Sequence, residues 1–242
     1  MQLHTETTGD GPDHLVLVHG LGNDGGVWSE LVGCALRTGR YTVTTVDLRG
    51  HGRSARSSTY TVQAFADDLV ESVPVGVHAV VSHSLGGAVT ARAVSRLAPE
   101  RAVYLDPGFQ VALPTAGLGG QLVRRARWVI PLFVLLRSRG IREPALTESG
   151  RELEAAGRRL WDRKMALAVL QDVALHPTAV ARPVVPSALV LSGDARHVVP
   201  DPLPEELADH GWDVRRLDAL GHGLFLEDPE LVWTVLEDLL RV

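Results

Sequence analysis

The chain has 242 residues, of which 45% are hydrophobic and 22% charged, and these shares are ordinary for a soluble globular protein. Its formal net charge of −5 comes from acidic residues spread along the sequence, so nucleic acid is not an expected partner. The single cysteine, Cys34, excludes an internal disulfide and predicts a reducing compartment, the cytoplasm.

Short apolar runs alternate with longer segments of helical periodicity, which is typical of a parallel sheet covered by helices on both faces. The first residues lack the basic patch and apolar core of a signal peptide. Strands are predicted at residues 15–18, 43–46, 78–81, 102–105, 188–191 and 214–217. Helices are predicted at residues 62–73 with Thr61 as the N-cap, at residues 85–97, and from Pro229 onward.

Residues 108–177 interrupt this alternation, because they contain no convincing strand. The apolar run at residues 128–136 is too short to cross a bilayer, and one helix-like stretch extends from residue 151 to about 175. Open α/β sheets bind ligands at the carboxyl ends of their strands. We therefore predict an α/β core of residues 1–107 and 178–242, with residues 108–177 as a helical cap over that edge.

Ser84 lies between a predicted strand and a predicted helix, and small residues flank it. This pattern is typical of a nucleophile elbow, a tight turn that lifts a serine hydroxyl above the sheet edge. Gly86 and Gly87 permit the helix backbone to approach the strand closely. A serine hydroxyl is a poor nucleophile alone, so a base, an orienting acid and oxyanion donors are expected elsewhere.

Five short segments of the sequence occur together in a distinctive order and spacing. They are His19–Gly22, Asp47–Ser54, Ser82–Gly87, Leu189–Pro200, and Gly221–Gly223 followed by Glu227–Pro229. This pattern resembles the α/β-hydrolase superfamily, in particular its small capped serine esterases, over nearly the whole chain outside the cap. The resemblance implies an α/β-hydrolase fold, with a mostly parallel central sheet, helices on both faces and a helical cap insertion.

The resemblance also implies roles for individual residues. Ser84 is the expected nucleophile, although the family usually has glycine where this chain has Ser82. His222, in a glycine-flanked loop after the last strand, is the expected base. The backbone N–H groups of Leu21 and Leu85 are the expected oxyanion donors.

The acid is the point at which the sequence departs from the family pattern. Arg196 occupies the position where most relatives have an aspartate, and a guanidinium cannot orient an imidazole in that way. Asp106, directly after a predicted strand, and Asp194, two residues before the usual position, are the two alternatives. We favour Asp106, because a rigid strand end would hold its carboxylate, whereas an aspartate in the loop of Asp194 often only braces a turn.

The leading hypothesis is a serine hydrolase that cleaves an ester, thioester or related acyl bond of a small to medium hydrophobic substrate. Trp128 and Phe133 in the cap are candidate substrate contacts. One alternative is a lyase or cyclase that uses the same residues for acid–base chemistry. Another is a ligand-binding protein without a working acid. No metal or organic cofactor is expected, because the sequence carries no ligand motif for either, and it does not determine the oligomeric state.

Overall fold

The computed structural model describes residues 1–110, 117–125, 145–179 and 182–241. Its strands are β1 (His4–Thr8), β2 (Asp13–Val18), β3 (Tyr41–Asp47), β4 (Ala79–His83), β5 (Arg101–Leu105), β6 (Ser187–Ser192) and β7 (Asp213–Leu217). They form one sheet in the order β1-β3-β2-β4-β5-β6-β7, in which only the β1–β3 pair is antiparallel. The six predicted strands are confirmed.

The described helices are α1 (Ser29–Arg37), α2 (Val62–Ser72), α3 (Leu85–Leu97), α4 (Gly117–Arg125), α5 (Glu148–Leu160), α6 (Arg163–Leu175), α7 (Leu203–Asp209), α8 (Leu224–Glu227) and α9 (Pro229–Leu240). The predicted N-cap of α2 is confirmed, since the Thr61 hydroxyl accepts a hydrogen bond from the Ala64 N–H at 3.2 Å. Asp228 caps α9 in the same way, through the Leu231 N–H at 2.9 Å.

Both faces of the sheet are buried, and alternate residues of each strand serve opposite faces. Leu15 and Leu17 of β2 pack with α1 and α9, whereas Val16 and Val18 pack with α2 and α3. A further cluster joins Leu189 and Leu191 of β6 to α7. This two-sided burial is the reason that the central strands are continuous apolar runs instead of alternating ones.

The first strand, β1, was not predicted from the sequence. Its residues, His-Thr-Glu-Thr-Thr, are polar, and the last three are exposed. The strand lies at the sheet edge and pairs with β3 through its backbone, in a register that places His4 opposite Asp47. Backbone pairing at an edge requires no apolar pattern, which explains the missed assignment.

Helices α4, α5 and α6 lie between β5 and β6, in the segment expected to form the cap. The prediction of one helix from residue 151 to about 175 is wrong, because α5 ends at Leu160 and α6 begins at Arg163, with Trp161 and Asp162 between them. Trp161 has extended dihedral angles, and the Asp162 side chain caps α6 by accepting from the Lys164 N–H at 3.0 Å. Trp128 and Phe133 lie outside the described residues. Within the described part of the chain, no helix is both long and apolar enough to span a membrane.

Candidate active site

Ser84 occupies the sharp turn between β4 and α3. Its backbone dihedral angles, φ 49° and ψ −118°, are unfavourable for a residue with a side chain, as expected of a strained nucleophile elbow. The neighbouring glycines make the turn possible. A Cβ atom on Gly86 would lie 2.4 Å from the Val18 carbonyl oxygen, and one on Gly87 would lie 2.4 Å from Cβ of Pro107. A side chain at residue 86 would push α3 away from β2, and one at residue 87 would clash with Pro107 in the segment after β5.

The turn is closed on its other side by the segment that follows β5. Gly108 donates its backbone N–H to the Ser84 carbonyl at 2.6 Å. The fully buried Ser82 stands at the position where the related pattern has glycine, and its hydroxyl lies 3.4 Å from the Val103 carbonyl on β5. The sheet therefore accommodates a small hydroxyl at this position.

Ser84, His222 and Asp106 form a continuous chain of polar contacts. The Ser84 hydroxyl lies 3.0 Å from Nε2 of His222, and Nδ1 of the same ring lies 3.2 Å from Oδ2 of Asp106. The residues come from the ends of β4, β5 and the loop after β7, three points that converge at the carboxyl edge of the sheet. An imidazole so placed can take a proton from the hydroxyl through one nitrogen while the carboxylate orients the other.

Asp106 is fully buried and held on both oxygens. Its Oδ1 accepts from the Ser192 backbone N–H at 2.7 Å, and its Oδ2 accepts from the Ser192 hydroxyl. A buried carboxylate is tolerated only when it is paired or hydrogen-bonded, and here three donors surround it. The His222 ring, in contrast, is 37% exposed, so substrate and water can reach its vicinity.

Asp194, the alternative acid, makes no described contact with the His222 side chain. Its carboxylate instead faces Gly221, where a Cβ atom would lie 3.5 Å from Oδ2. Arg196, which occupies the usual acid position, is exposed and lines an outer cleft of about 300 Å³ together with Asp201, Arg216 and Asp218. The geometry thus places Asp106, and not Asp194, in contact with the His222 ring.

Leu21 lies on a loop that packs directly against the elbow. A Cβ atom on Gly20 would lie 2.9 Å from Cβ of Ser84, so the loop can approach only because residue 20 is glycine. Within the described parts of the chain, neither the Leu21 nor the Leu85 backbone N–H has a hydrogen-bond acceptor. Unoccupied N–H groups beside the nucleophile are what an oxyanion hole requires.

Two buried histidines hold this loop in place. His51 accepts a hydrogen bond from the Gly22 N–H at 3.1 Å, and its other ring nitrogen lies 3.1 Å from the Arg49 carbonyl. His19 accepts from the Leu48 N–H at 3.0 Å. Burial lowers the pKa of His19 to about 4, and burial together with the nearby His19 lowers the pKa of His51 to about 3. Both rings therefore remain neutral near pH 7 and keep the lone pairs that accept these bonds.

The Trp161–Asp162 break ties the cap segment to the same loops, a connection that sequence reasoning missed. Ring atoms of Trp161 lie 3.7 Å from the position of a Cβ on Gly22. The Asp162 backbone N–H donates to the Gly50 carbonyl at 2.8 Å, and its side chain accepts from the Tyr60 hydroxyl at 3.2 Å. A capping aspartate inside the supposed long helix was the signal that would have located this break.

A family model described as "Alpha/beta hydrolase family" matches residues 15–235. This range includes strands β3 to β7 and all of β2 except its first two residues, and it leaves out β1. It also includes Ser84, Asp106 and His222. The protein belongs to the alpha/beta hydrolase family. The family expected from the five motif segments, and its fold, are confirmed.

Curated relatives of this alpha/beta hydrolase are esterases by name. One, "Pimeloyl-[acyl-carrier protein] methyl ester esterase" of Methylococcus capsulatus, is 41% identical over 99 residues, which are 41% of this chain and 37% of the relative. A protein of the same name from Vibrio vulnificus is 31% identical over 166 residues, or 68% of this chain and 56% of the relative. The matches therefore span less than two thirds of the length of these relatives.

Solved structures agree with the fold over almost the whole length of the hydrolase. The enol-lactonase from Burkholderia xenovorans has a TM-score of 0.72 at 20% identity, covering 99% of this chain and 96% of that one. A thermophilic esterase from Thermogutta terrifontis has a TM-score of 0.69 at 21% identity, covering 99% of this chain and 93% of that one. At such identities the likeness establishes the fold and not the reaction.

Proposed function

We propose that this protein is a serine esterase in which Ser84 attacks the acyl carbon of an ester. The observation that carries the proposal is the continuous set of contacts from the Ser84 hydroxyl through His222 to the Asp106 carboxylate, at 3.0 Å and 3.2 Å. The names of the curated relatives support ester cleavage over lyase or cyclase chemistry.

The reaction proceeds in two acyl transfers. His222 Nε2 takes the Ser84 proton as the serine oxygen bonds to the carbonyl carbon, and the Leu21 and Leu85 N–H groups stabilise the oxyanion. The intermediate then collapses to an acyl-enzyme, and the protonated His222 gives its proton to the departing alcohol. Water next attacks the acyl-enzyme while His222 accepts a proton, and the second collapse returns that proton to Ser84 and releases the carboxylic acid.

We propose a small to medium hydrophobic acyl group as the substrate, beneath the cap formed by residues 108–177. Trp128 and Phe133 remain predicted contacts in that cap. A methyl ester of a carrier-bound acyl chain belongs among the first substrates to be tested, because the curated relatives carry that name. The buried, free Cys34 supports a reducing compartment, and the cytoplasm is our proposed location.

Burst kinetics and covalent labelling test the reaction. With p-nitrophenyl esters of increasing acyl length we expect a burst of p-nitrophenol equal to the enzyme concentration whenever deacylation is slow. A fluorophosphonate is expected to label the wild-type protein once, at Ser84. The control is Ser84→Ala, which removes only the hydroxyl and is expected to abolish both the burst and the label. A folded wild-type protein that neither turns over these esters nor reacts with the fluorophosphonate would overturn the proposal.

A further inference from the structure

His83 ends β4 immediately before Ser84, and the proposed reaction gives it no task. Its side chain is only 5% exposed, and its Nε2 lies 2.9 Å from the backbone carbonyl oxygen of His222. A carbonyl oxygen can only accept a hydrogen bond, so Nε2 of His83 carries the proton. The contact joins the residue beside the nucleophile to the backbone of the expected base.

The surroundings of the His83 ring hold it in one orientation. The Phe225 ring lies edge-on at 5.1 Å between centroids, and the His222 ring lies at 4.7 Å. Nδ1 of His83 is buried and has no hydrogen-bond partner among the described residues, and a Cβ on Gly20 would lie 2.9 Å from it. Burial, with the neighbouring His222 as a second cause, lowers the pKa of His83 well below its ordinary value, so the ring is neutral.

A buried histidine with one hydrogen-bonded nitrogen and one nitrogen without a partner in the described structure is less stable than an apolar ring would be, if packing were its only role. Burying the unused Nδ1 costs free energy that an apolar ring of the same shape would avoid. An apolar ring at residue 83 would lack the N–H that donates to the His222 carbonyl. The His222 loop has a particular need for such a donor, because Gly221 and Gly223 flank it and glycine restricts the backbone least.

Backbone hydrogen bonds hold both ends of this loop, since the Leu220 N–H donates to the Leu217 carbonyl at 2.9 Å and the Gly223 carbonyl accepts from the Leu226 N–H at 2.7 Å. The Gly221 N–H donates to the Glu227 carboxylate at 3.1 Å, and the His222 ring meets Asp106 and Ser84. Between these held ends, the bond from His83 is the one that reaches the backbone of His222 itself among the described residues, so it can set the direction of the ring.

We propose that His83 is a positioning residue, whose Nε2–H anchors the His222 backbone so that one imidazole meets both the Ser84 hydroxyl and the Asp106 carboxylate. The inference rests on the proposed function and deepens it. The role of His83 is exerted through His222, and it contacts neither the nucleophilic oxygen nor the acid.

Two substitutions separate the donor from the shape of the ring. His83→Phe keeps an aromatic ring and removes the donor, whereas His83→Gln places an amide N–H at a similar reach. Misplacement of a catalytic group by about 1 Å costs on the order of 100-fold, so we expect His83→Phe to lower kcat by about 10- to 100-fold. KM should change little, because substrate binding is not altered. His83→Gln should recover most of the loss, and the rate of fluorophosphonate labelling should follow kcat in both variants.

The wild-type protein provides a measurement that does not depend on the folding of a variant. Nitrogen-15 NMR of the histidine rings, with the His83 signal assigned by its loss in His83→Gln, should reveal the Nε2–H form between pH 5 and pH 8. Protonation at Nδ1 instead would overturn the proposal. So would a folded His83→Phe variant with wild-type kcat, or equal losses in His83→Phe and His83→Gln at unchanged melting temperature. If the wild-type protein itself is inactive and unlabelled, the proposed esterase function fails, and the positioning role falls with it.

Discussion

Ser192 donates two hydrogen bonds to Asp106, one from its backbone N–H and one from its hydroxyl. Ser192 is the last residue of β6 and Asp106 follows β5, so the contact joins the ends of two neighbouring parallel strands. Arg196 stands at the usual acid position, in the loop after β6. The last residue of β6, Ser192, thus supports the Asp106 carboxylate at the end of the neighbouring β5. The two bonds leave Oδ2 of Asp106 directed at His222.

The first prediction concerns this support. Ser192→Ala removes the hydroxyl donor and keeps the backbone donor, so the carboxylate should become less well oriented. Loss of a contact that orients a metal-ligating side chain typically costs about 10- to 100-fold, and we expect the orienting bond on this carboxylate to be worth about 10-fold in kcat. Ser187→Ala is the matched control, because Ser187 begins the same strand and its hydroxyl donates to the Val185 carbonyl at 2.9 Å, away from Asp106. Equal losses in both variants would contradict a specific role for Ser192.

The second prediction separates the two candidate acids. Asp106→Asn preserves shape but cannot stabilise an imidazolium, and the corresponding change in a well-studied serine protease lowers kcat by about 10⁴-fold. We expect a comparable loss here. Asp194→Asn should leave kcat close to that of the wild-type protein, because this carboxylate faces Gly221 and not the His222 ring. Steady-state kinetics on both purified variants, with circular dichroism to establish folding, decides the matter. The opposite pattern of losses would make Asp194 the acid.

The third prediction concerns the close approach of α3 to β2. A Cβ at residue 86 would lie 2.4 Å from the Val18 carbonyl oxygen and 2.6 Å from that of His19, both backbone atoms that cannot turn aside. Gly86→Ala should therefore lower the free energy of unfolding by about 3 kcal/mol or more, as overpacking does at its upper end. Gly33→Ala in α1 is the contrast, because nothing lies within 4 Å of its Cβ position.

Gly33→Ala should raise the free energy of unfolding by about 0.5 to 1 kcal/mol, since alanine favours helix over glycine. Urea denaturation of the two variants beside the wild-type protein measures both effects. A Gly86→Ala protein as stable as the wild type would mean that the helix can move away from the sheet without cost.

The fourth prediction follows from the buried histidines. The pKa of His19 is about 4 and that of His51 about 3 in the folded protein, below the ordinary value of 6.5 that applies to the unfolded chain. At a pH between the folded-state pKa of each histidine and 6.5, the unfolded chain binds more protons than the folded protein, so lowering the pH favours unfolding. The stabilisation is complete above about pH 6.5 and is lost as the pH falls toward 4. Each histidine contributes a slope that approaches about 1.4 kcal/mol per pH unit.

Urea denaturation between pH 7.5 and pH 5 measures this slope. The window lies above the ordinary titration range of carboxylates, so histidines should dominate it. His51→Gln removes one titrating ring and should make the dependence shallower. His210→Gln is the control for loss of a histidine as such, because His210 lies on the surface. Identical slopes in all three proteins would contradict the assignment.

Much of this protein could be predicted from the residues themselves. The central strands were located because strands buried on both faces are continuous apolar runs, and a run such as residues 15–18 has few other interpretations. The elbow at Ser84 was equally legible, since a tight strand–turn–helix connection demands small residues in a fixed order, and Gly86 and Gly87 supply them. Local sterics and burial determine such features, and both depend on residues that are adjacent in the sequence.

Which of the two aspartates, Asp106 or Asp194, contacts His222 could be decided only from the tertiary structure. Both aspartates follow strands that end at the same sheet edge, so their positions along the chain do not distinguish them. The difference arises because Ser192 on the neighbouring strand directs one carboxylate toward His222, while the other faces Gly221. That pairing joins residues more than 80 positions apart.

The break at Trp161 has the same origin. Residues on either side favour helix, but contacts of the break with Gly22 and Gly50, more than 100 residues earlier, outweigh that local preference. The sequence by itself therefore determined six of the seven strands, the elbow and the family, because neighbouring residues decide burial and turn geometry. Only the folded chain decided which aspartate meets His222 and where α5 and α6 part, because those outcomes depend on side chains that approach one another after the sheet has formed.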